Sequence, residues 1–403
     1  MSKITVVDSI CGAGKTSWAI QFMDNNFKDR YIYITPFLDE LKRIKRDTSI
    51  AFKEPNEKLG KGSKKNHFLN MLMNGDDICS THALFRNMEE GVCETIKEKE
   101  YILILDEVMD VVEQLPLTKR DIQLLINDNI IKVDDEFKVS WIDETYKGEF
   151  LKYKCMIKNG DVYLYNNAMI LWTFPCNVFK AFKHVYILTY LFNGQIQRYY
   201  YDLNKLDYER KSVICTGTEG FGTAKRNVYE LVDYFEPDKS KYKELINIYD
   251  GKLNNIGNEI NAFSVSWLNK NKDTQVMKRI KNNTVNYFIN ITKSKSEYNM
   301  WSTFLNYKTI LGGKGYTKGF VDCSARATNE YKHKKSLAYL CNRYYSPVIK
   351  NFFVDKGVII DEDEWALSEL IQWMFRSSIR EQKNINIYIP SKRMRDLLMK
   401  WLK

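Results

Sequence analysis

The chain has 403 residues, 44% of them hydrophobic and 14% aromatic, and a formal net charge of +10. These values allow two or three domains with a substantial core and argue against general disorder. No apolar run approaches the length of a membrane span, and no signal-peptide pattern opens the chain. Eight cysteines without a C-x-x-C pair fit a reduced, cytoplasmic setting better than a disulfide framework. The excess of positive charge suits a polyanionic partner such as nucleic acid but does not require one.

The first predicted element is a strand that runs through a glycine-containing loop into a helix. Residues 4–7 are a β-branched apolar run, residues 9–14 form a turn, and a helical pattern begins at Lys15-Thr16. This order is the context of a P-loop, whose backbone N–H groups wrap a phosphate at the positive end of a helix. Ser9 replaces the first consensus glycine, and an ordinary glycine turn is the alternative. The predicted nucleotide-binding residues are Ser9, Gly12, Ala13, Gly14, Lys15, Thr16 and Ser17. Lys15 would reach the β- and γ-phosphates and Thr16 would bind Mg²⁺.

Two strand-to-helix turns follow. Residues 31–34 predict a strand that ends at Thr35-Pro36, and residues 78–85 predict a strand end followed by a helix. Each turn is compatible with a nucleic-acid contact, through Thr35 and Pro36 in the first and Ser80, Thr81 and His82 in the second. The alternative for both is a plain structural turn.

The second strong pattern is an aliphatic run that ends in two acids. Tyr101 to Leu105 predicts a strand buried on both faces of a parallel sheet, and Asp106-Glu107 stand at its carboxyl end, where open α/β sheets place ligands. Together with the P-loop, this indicates a Walker B box. Asp106 would hold Mg²⁺ and Glu107 would polarise the water that attacks the γ-phosphate.

The next segments predict an insertion and a further core strand. Residues 115–168 contain short alternating segments and an Asn159-Gly160 hairpin signal, which indicate a small β-rich insertion. Residues 185–192 predict a core strand, with Thr189 and Tyr190 near its end and facing the nucleotide cleft.

In the second half, residues 285–291 predict a strand and residues 297–305 a helix. A strand from Phe320 leads into a polar loop whose Arg326 and Asn329 could contact nucleotide or nucleic-acid backbone. Residues 367–380 predict a helix with Gln372, Arg376 and Arg380 on one face, at i, i+4 and i+8. Two arginines on one stripe suit the charge of a transferring γ-phosphoryl group, and a solvated basic face is the alternative.

In their order along the chain, these motifs resemble a superfamily 2 DNA helicase of the compact bacteriophage type. The resemblance implies two RecA-like P-loop domains, residues 1–205 with the insertion at about 115–168, and residues 206–403 with the arginine-finger helix. It implies ATP and Mg²⁺ as cofactors, and single-stranded or forked DNA as partner, with RNA as the alternative and phage or host replication proteins as further partners. Thr189-Tyr190 is a loose form of the family's coupling box, and Phe375 replaces a glycine of its arginine box. No adenine-reading glutamine motif is seen before the P-loop.

The function implied is ATP-dependent unwinding or translocation on DNA in phage replication or recombination. The same P-loop also fits a DNA-packaging or loading ATPase, or a nucleotide kinase. A packaging motor would add an acidic nuclease site, and a kinase would not need Gln372 with two arginines. A non-catalytic binding module is disfavoured because Lys15, Thr16 and the Asp106-Glu107 pair are all present.

Overall fold

The computed structural model describes residues 3–88, 90–220, 225–324 and 330–403. The chain forms two compact α/β units. The first comprises Met1–Phe235 and Ser346–Ile360, and the second comprises Glu236–Tyr345 and Asp361–Lys403.

The strands of the described residues are, in chain order, β1 (Lys3–Asp8), β2 (Arg30–Thr35), β3 (Ile78–Thr81), β4 (Tyr101–Asp106), β5 (Val112–Gln114), β6 (Ile131–Val133), β7 (Val139–Trp141), β8 (Asp161–Tyr165), β9 (Met169–Thr173), β10 (His184–Thr189), β11 (Glu209–Glu219), β12 (Arg226–Asp233), β13 (Ile246–Ile248), β14 (Asn299–Ser302), β15 (Ser336–Tyr339) and β16 (Ile385–Tyr388).

The α-helices of the same residues are α1 (Lys15–Asn25), α2 (Leu38–Asp47), α3 (Lys64–Asn74), α4 (His82–Phe85), α5 (Cys93–Glu98), α6 (Lys119–Asn127), α7 (Lys154–Asn159), α8 (Cys176–Ala181), α9 (Ile196–Leu203), α10 (Ser240–Leu245), α11 (Val265–Asn271), α12 (Gln275–Asn286), α13 (Lys308–Leu311), α14 (Pro347–Asp355), α15 (Glu362–Met374) and α16 (Lys392–Trp401). None of these described helices has the length and apolar character needed to cross a membrane.

The first unit is built on a sheet with the strand order β12-β11-β1-β10-β4-β2-β3 among the described residues. All neighbours in it are parallel except β12, which forms an antiparallel hairpin with β11. The central strands are apolar and buried on both faces, as residues 101–105 of β4 illustrate. Because β11 pairs with β1, the unit continues to Phe235 instead of ending at the predicted boundary after residue 205.

The predicted β-rich insertion is present between β4 and β10. It holds an antiparallel sheet of order β5-β9-β8 and the hairpin β6-β7, together with helices α6 and α7. Val112 and Thr173 are register partners, so the two ends of the insertion lie side by side. The insertion therefore leaves and rejoins the main sheet at one place.

The second unit has a parallel sheet of order β13-β16-β15-β14 among its described residues. Three local predictions of strands and helices were wrong here, and one of them is the strand expected from Phe320, which forms only an isolated bridge to Trp301. Residues 285–291 continue helix α12 into a π-helical turn, Tyr287–Ile291, rather than forming a strand, because this position buries Tyr287 and Phe288 in the core. Strand β14 lies where a helix was predicted, and all four of its residues are buried.

His184 is expected to make the stability of the first unit depend on pH. Its Nε2 lies 2.9 Å from Thr5 Oγ1, and its ring stacks on Tyr186 with centroids 4.0 Å apart. Burial, with a smaller contribution from the charge of Lys3, lowers the pKa of His184 to about 4, and Glu209 opposes the shift. The folded state therefore holds a neutral imidazole, whereas the unfolded chain takes up a proton below pH 6.5.

We expect the contribution of the neutral His184 to the free energy of unfolding to be complete above about pH 6.5 and to be lost progressively as the pH falls toward 4. Between pH 7 and pH 5 the loss should be roughly 1 kcal/mol after allowance for partial solvent screening. Urea unfolding gives the free energy of unfolding of the wild type and of His184→Gln at both pH values. The difference between the two proteins is taken at each pH, and the change in this difference measures the contribution of His184. Parallel pH profiles for the two proteins would contradict this role of His184.

Candidate nucleotide-binding site

The loop between β1 and α1 has the backbone of a phosphate cradle. Gly12 and Gly14 are both left-handed, with φ of 84° and 100°. Helix α1 begins at Lys15, and Gly14 at its N-cap makes no side-chain cap hydrogen bond. The N–H groups of the first turn thus have no capping side chain, and an anionic phosphate is a suitable acceptor for them.

Two residues fix the loop in place. Lys15 Nζ donates to the carbonyl of Ser9 at 2.6 Å and to that of Ile10 at 3.3 Å, so the ammonium group lies over the loop. The Ser9 N–H donates to Thr189 O at 3.1 Å, while its Oγ accepts from Val213 N at 2.8 Å. Ser9, which replaces the consensus glycine, therefore ties the loop to both neighbouring strands.

The two acids lie at the same edge of the sheet as the loop. Asp106 is the register partner of Leu188 on β10, and Thr189 is the partner of Asp8 on β1, directly before the loop. Glu107 is left-handed, with φ of 75°, and its N–H donates to Leu188 O at 3.0 Å. A non-glycine residue in this conformation costs about 1 kcal/mol or more. The chain turns sharply at Glu107, as expected for two successive carboxylates that serve one site.

Asp106 lies in a setting that suits a cation. Tyr33 OH donates to its Oδ2 at 2.9 Å. Burial raises the pKa of Asp106 to about 7, and the negative charges of Glu40 and Glu107 add to the shift, against the opposing effect of Tyr33 and Lys15. A divalent cation would offset this concentration of negative charge. The residues present therefore fit Mg²⁺, which Asp106 and Thr16 would hold and which would neutralise phosphate charge.

Asp8 is a site residue that sequence reasoning missed. Its carboxylate is 1% exposed and accepts from Leu191 N at 2.9 Å, Phe192 N at 3.1 Å and Arg210 Nη2 at 2.7 Å. It thereby fixes the turn after Thr189 and Tyr190, where Leu191 is left-handed with φ of 57°. The predicted coupling residues Thr189 and Tyr190 are 0% and 3% exposed. The turn that follows them is thus attached to the strand that leads into the P-loop.

The sheet brings the predicted nucleic-acid residues of the first unit together. Thr35 is the register partner of Thr81, and Ile34 is that of Ser80, at the carboxyl ends of β2 and β3. Thr35, Ser80 and His82 are buried, whereas Pro36 and Thr81 are half-buried. Thr81 occupies the N-cap of α4 without a side-chain cap bond. The predicted contacts Arg326 and Asn329 lie outside the described residues.

In the second unit, the predicted stripe of Gln372, Arg376 and Arg380 is wrong in its geometry. Helix α15 ends at Met374, and Arg380 lies in a separate 3₁₀ turn, Ser378–Glu381. The helix ends there because Ser377 Oγ donates to the carbonyl of Met374 at 2.7 Å. Arg376 is 4% exposed, with Nε 3.4 Å from Gln372 O, whereas Arg380 is exposed. The two arginines thus have different surroundings within their unit.

The same unit shows why Phe375 stands where the resembled family has glycine. Its ring is buried and packs edge-on against Tyr242, with centroids 5.1 Å apart. Phe375 is therefore part of the core of this unit, and the departure from the family pattern has a packing role.

Comparison with solved structures defines the class of fold. A chain titled XPD_APO aligns with a TM-score of 0.51 at 10% identity, over 99% of this chain and 95% of that one. The structure of S. tokodaii Xpd4 aligns with a TM-score of 0.48 at 12% identity, over 99% and 94% of the two chains. The first similarity shows a helicase-like α/β fold, so the predicted fold class is confirmed.

Comparison with sequences then gives the family. The model described as the YonV C-terminal Rossmann-like domain matches residues 240–402, and the YonV middle domain matches residues 112–172, which span the predicted insertion. The SPbeta prophage-derived uncharacterized protein YonV of Bacillus subtilis (strain 168) is 44% identical over 418 residues, covering 100% of this chain and 99% of that protein. The chain belongs to the YonV family.

Proposed function

We propose that this protein is a superfamily 2 helicase or translocase of the compact bacteriophage type, which uses ATP hydrolysis to move along DNA or to unwind it. The observation that carries the proposal is the meeting of Lys15, Asp106 and Glu107 at one edge of one parallel sheet. A cradle for phosphate, a cation-binding carboxylate and a general base are the parts that ATP hydrolysis needs. The prophage origin named for the YonV relative fits a phage setting, and a role in phage DNA replication or recombination is part of the proposal.

A nucleic-acid track on the first unit is the second part of the proposal. Thr35, which is buried, and Thr81, which is half-buried, lie side by side at the carboxyl edge that also bears the acid pair, so Thr81 offers the accessible hydroxyl of the two. Hydroxyl groups and backbone N–H groups at such turns contact phosphate oxygens without reading the bases. In the second unit, Gln372 and either Arg376 or Arg380 are the residues proposed to act in turnover, and Arg380 is the more exposed of the two arginines. The net charge of +10 favours association with a polyanion.

The proposal predicts that nucleic acid stimulates ATP turnover. We expect the steady-state ATPase rate with Mg²⁺ to rise about tenfold or more with single-stranded DNA, RNA or a forked duplex, whichever is the substrate. A duplex with a fluorophore and a quencher would report unwinding in the same samples. Raising the salt concentration should weaken the stimulation, because phosphate contacts release counterions.

Each outcome separates the alternatives. Stimulation with strand separation supports a helicase, and stimulation without it supports a translocase or loading ATPase. ATP turnover that no nucleic acid changes would contradict the proposal and favour a kinase or another ATPase. The variant Lys15→Ala is the control for contaminating ATPase activity, because it removes the charge that binds the β- and γ-phosphates.

A further inference from the structure

The β11-β12 hairpin covers one side of the P-loop. Tyr229 on β12 packs its ring against Gly14 so closely that a Cβ at residue 14 would lie 2.2 Å from the ring atom Cε1. Only glycine permits this approach, and the left-handed φ of 100° at Gly14 also favours glycine. The Tyr229 side chain is half-buried and packs at the rim of the core beneath α1. An aromatic ring therefore stands at the mouth of the phosphate loop.

A glutamine on α1 fixes this ring in position. Gln21 Oε1 accepts from Tyr229 N at 3.0 Å, and Gln21 Nε2 donates to Asn227 O at 2.5 Å. Asn227 Nδ2 in turn donates to the Tyr229 hydroxyl at 3.3 Å. One side-chain amide thus fastens the hairpin backbone to the P-loop helix, and a second one orients the phenol. Such fixation lowers the entropy cost of binding against the ring.

The strand order shows which end of a nucleotide would meet Tyr229. The sheet runs β12-β11-β1-β10-β4, with the P-loop after β1 at its centre. Asp106 and Glu107, which face the γ-phosphate in the proposed function, follow β4 on one side of β1. Tyr229 lies on β12, on the other side. A triphosphate held in the loop with its γ-phosphate toward the acids therefore directs its ribose and base toward the hairpin.

We propose that Tyr229 is the platform on which the base of the bound nucleotide stacks, and that the site takes purine nucleoside triphosphates. Stacking on an aromatic ring accepts any base, and the two-ring purines offer more contact area than pyrimidines. This stacking proposal rests on the proposed function, because it assumes that the P-loop binds a triphosphate. It gives the chain a base contact 215 positions after Gly14 in sequence, provided by the hairpin.

The test compares ATP with inorganic tripolyphosphate, which has the phosphates but no base. Binding of each to the full chain with Mg²⁺ is measured by calorimetry for the wild type, Tyr229→Ala and Tyr229→Phe. We expect Tyr229→Ala to weaken ATP binding by roughly ten- to a hundredfold and to change tripolyphosphate binding by less than about twofold. Tyr229→Phe keeps the ring and should stay within about threefold of the wild type for both ligands. Phe235→Ala, which removes an exposed ring just after the same hairpin, should change neither.

Two results would overturn the stacking role. Equal weakening of ATP and tripolyphosphate by Tyr229→Ala would show that the ring only shapes the loop, and unchanged ATP binding would show that it does not meet the base. In both cases the wild type still binds ATP, so the proposed function stands. A wild type that binds neither ligand would instead reject the proposed function, and the stacking role with it. CTP that binds as tightly as ATP would reject the purine preference.

Discussion

Turnover of ATP is expected to fall by about 10²- to 10⁴-fold when Glu107 is replaced by glutamine, while ATP affinity changes by less than about threefold. Glutamine has the size and shape of glutamate but cannot take a proton from the attacking water. It also keeps the backbone N–H that donates to Leu188 O, so the left-handed turn should remain. Steady-state kinetics with saturating nucleic acid give the rate, and calorimetry gives the affinity.

The matched control is Asp110→Asn, which makes the same chemical change three residues later on an exposed side chain. We expect Asp110→Asn to retain turnover within about twofold. If Glu107→Gln kept more than a tenth of the wild-type rate, Glu107 would not be the general base. If it lost ATP affinity to the same extent as turnover, the residue would act in binding and not in the chemical step.

Loss of Asp8 is expected to destabilise the first unit by about 2–4 kcal/mol. The change Asp8→Ala leaves the Arg210 guanidinium and two backbone N–H groups without the buried carboxylate that accepts from them. Unpaired buried N–H donors are costly in a folded protein, whereas Arg210, whose side chain is 22% exposed and stacks on Tyr234, adds a smaller, partly solvated contribution. Denaturant unfolding followed by circular dichroism measures the change in the free energy of unfolding.

The adjacent position on β11 supplies a matched control. Lys211 pairs with Asp233 at 2.8 Å, but the Asp233 side chain is 97% exposed. Removal of this pair by Asp233→Ala should cost less than about 1 kcal/mol, because water solvates both partners. The variant Asp8→Asn preserves the shape and one acceptor oxygen, so we expect it to lose an intermediate amount of stability. It provides the measurement if Asp8→Ala does not fold. Equal losses for Asp8→Ala and Asp233→Ala would contradict a structural role for the buried pair.

The parts of the fold predicted from sequence are those that a local pattern determines. The β1-loop-α1 unit and β4 each combine a continuous apolar run with a chemical signal at its end, namely Gly14-Lys15 or Asp106-Glu107, and both lie where they were predicted. The insertion was recognised because its short alternating segments differ from the continuous runs of a parallel sheet. The roles of these residues in binding and catalysis stay predictions until they are tested.

The parts that were missed depend on tertiary contacts. Residues 285–291 have strand-like composition, but packing of Tyr287 and Phe288 in the second core keeps them helical. Asp8 resembled an ordinary strand end, since its partner Arg210 is 202 residues away in sequence. Tyr229 carries no local motif. The end of α15 was readable in principle, because two successive serines at 377 and 378 favour side-chain hydrogen bonds to the backbone over a continuing helix.

The left-handed backbone at Glu107 has a consequence for anyone who engineers this protein. A residue without a β-carbon would adopt that conformation with less strain, so glycine there should make the unit more resistant to heat. A library screened for thermal resistance alone would therefore enrich a change that deletes the proposed base. Selection for robustness in this fold would need a second readout of turnover, since the two properties conflict at this one residue.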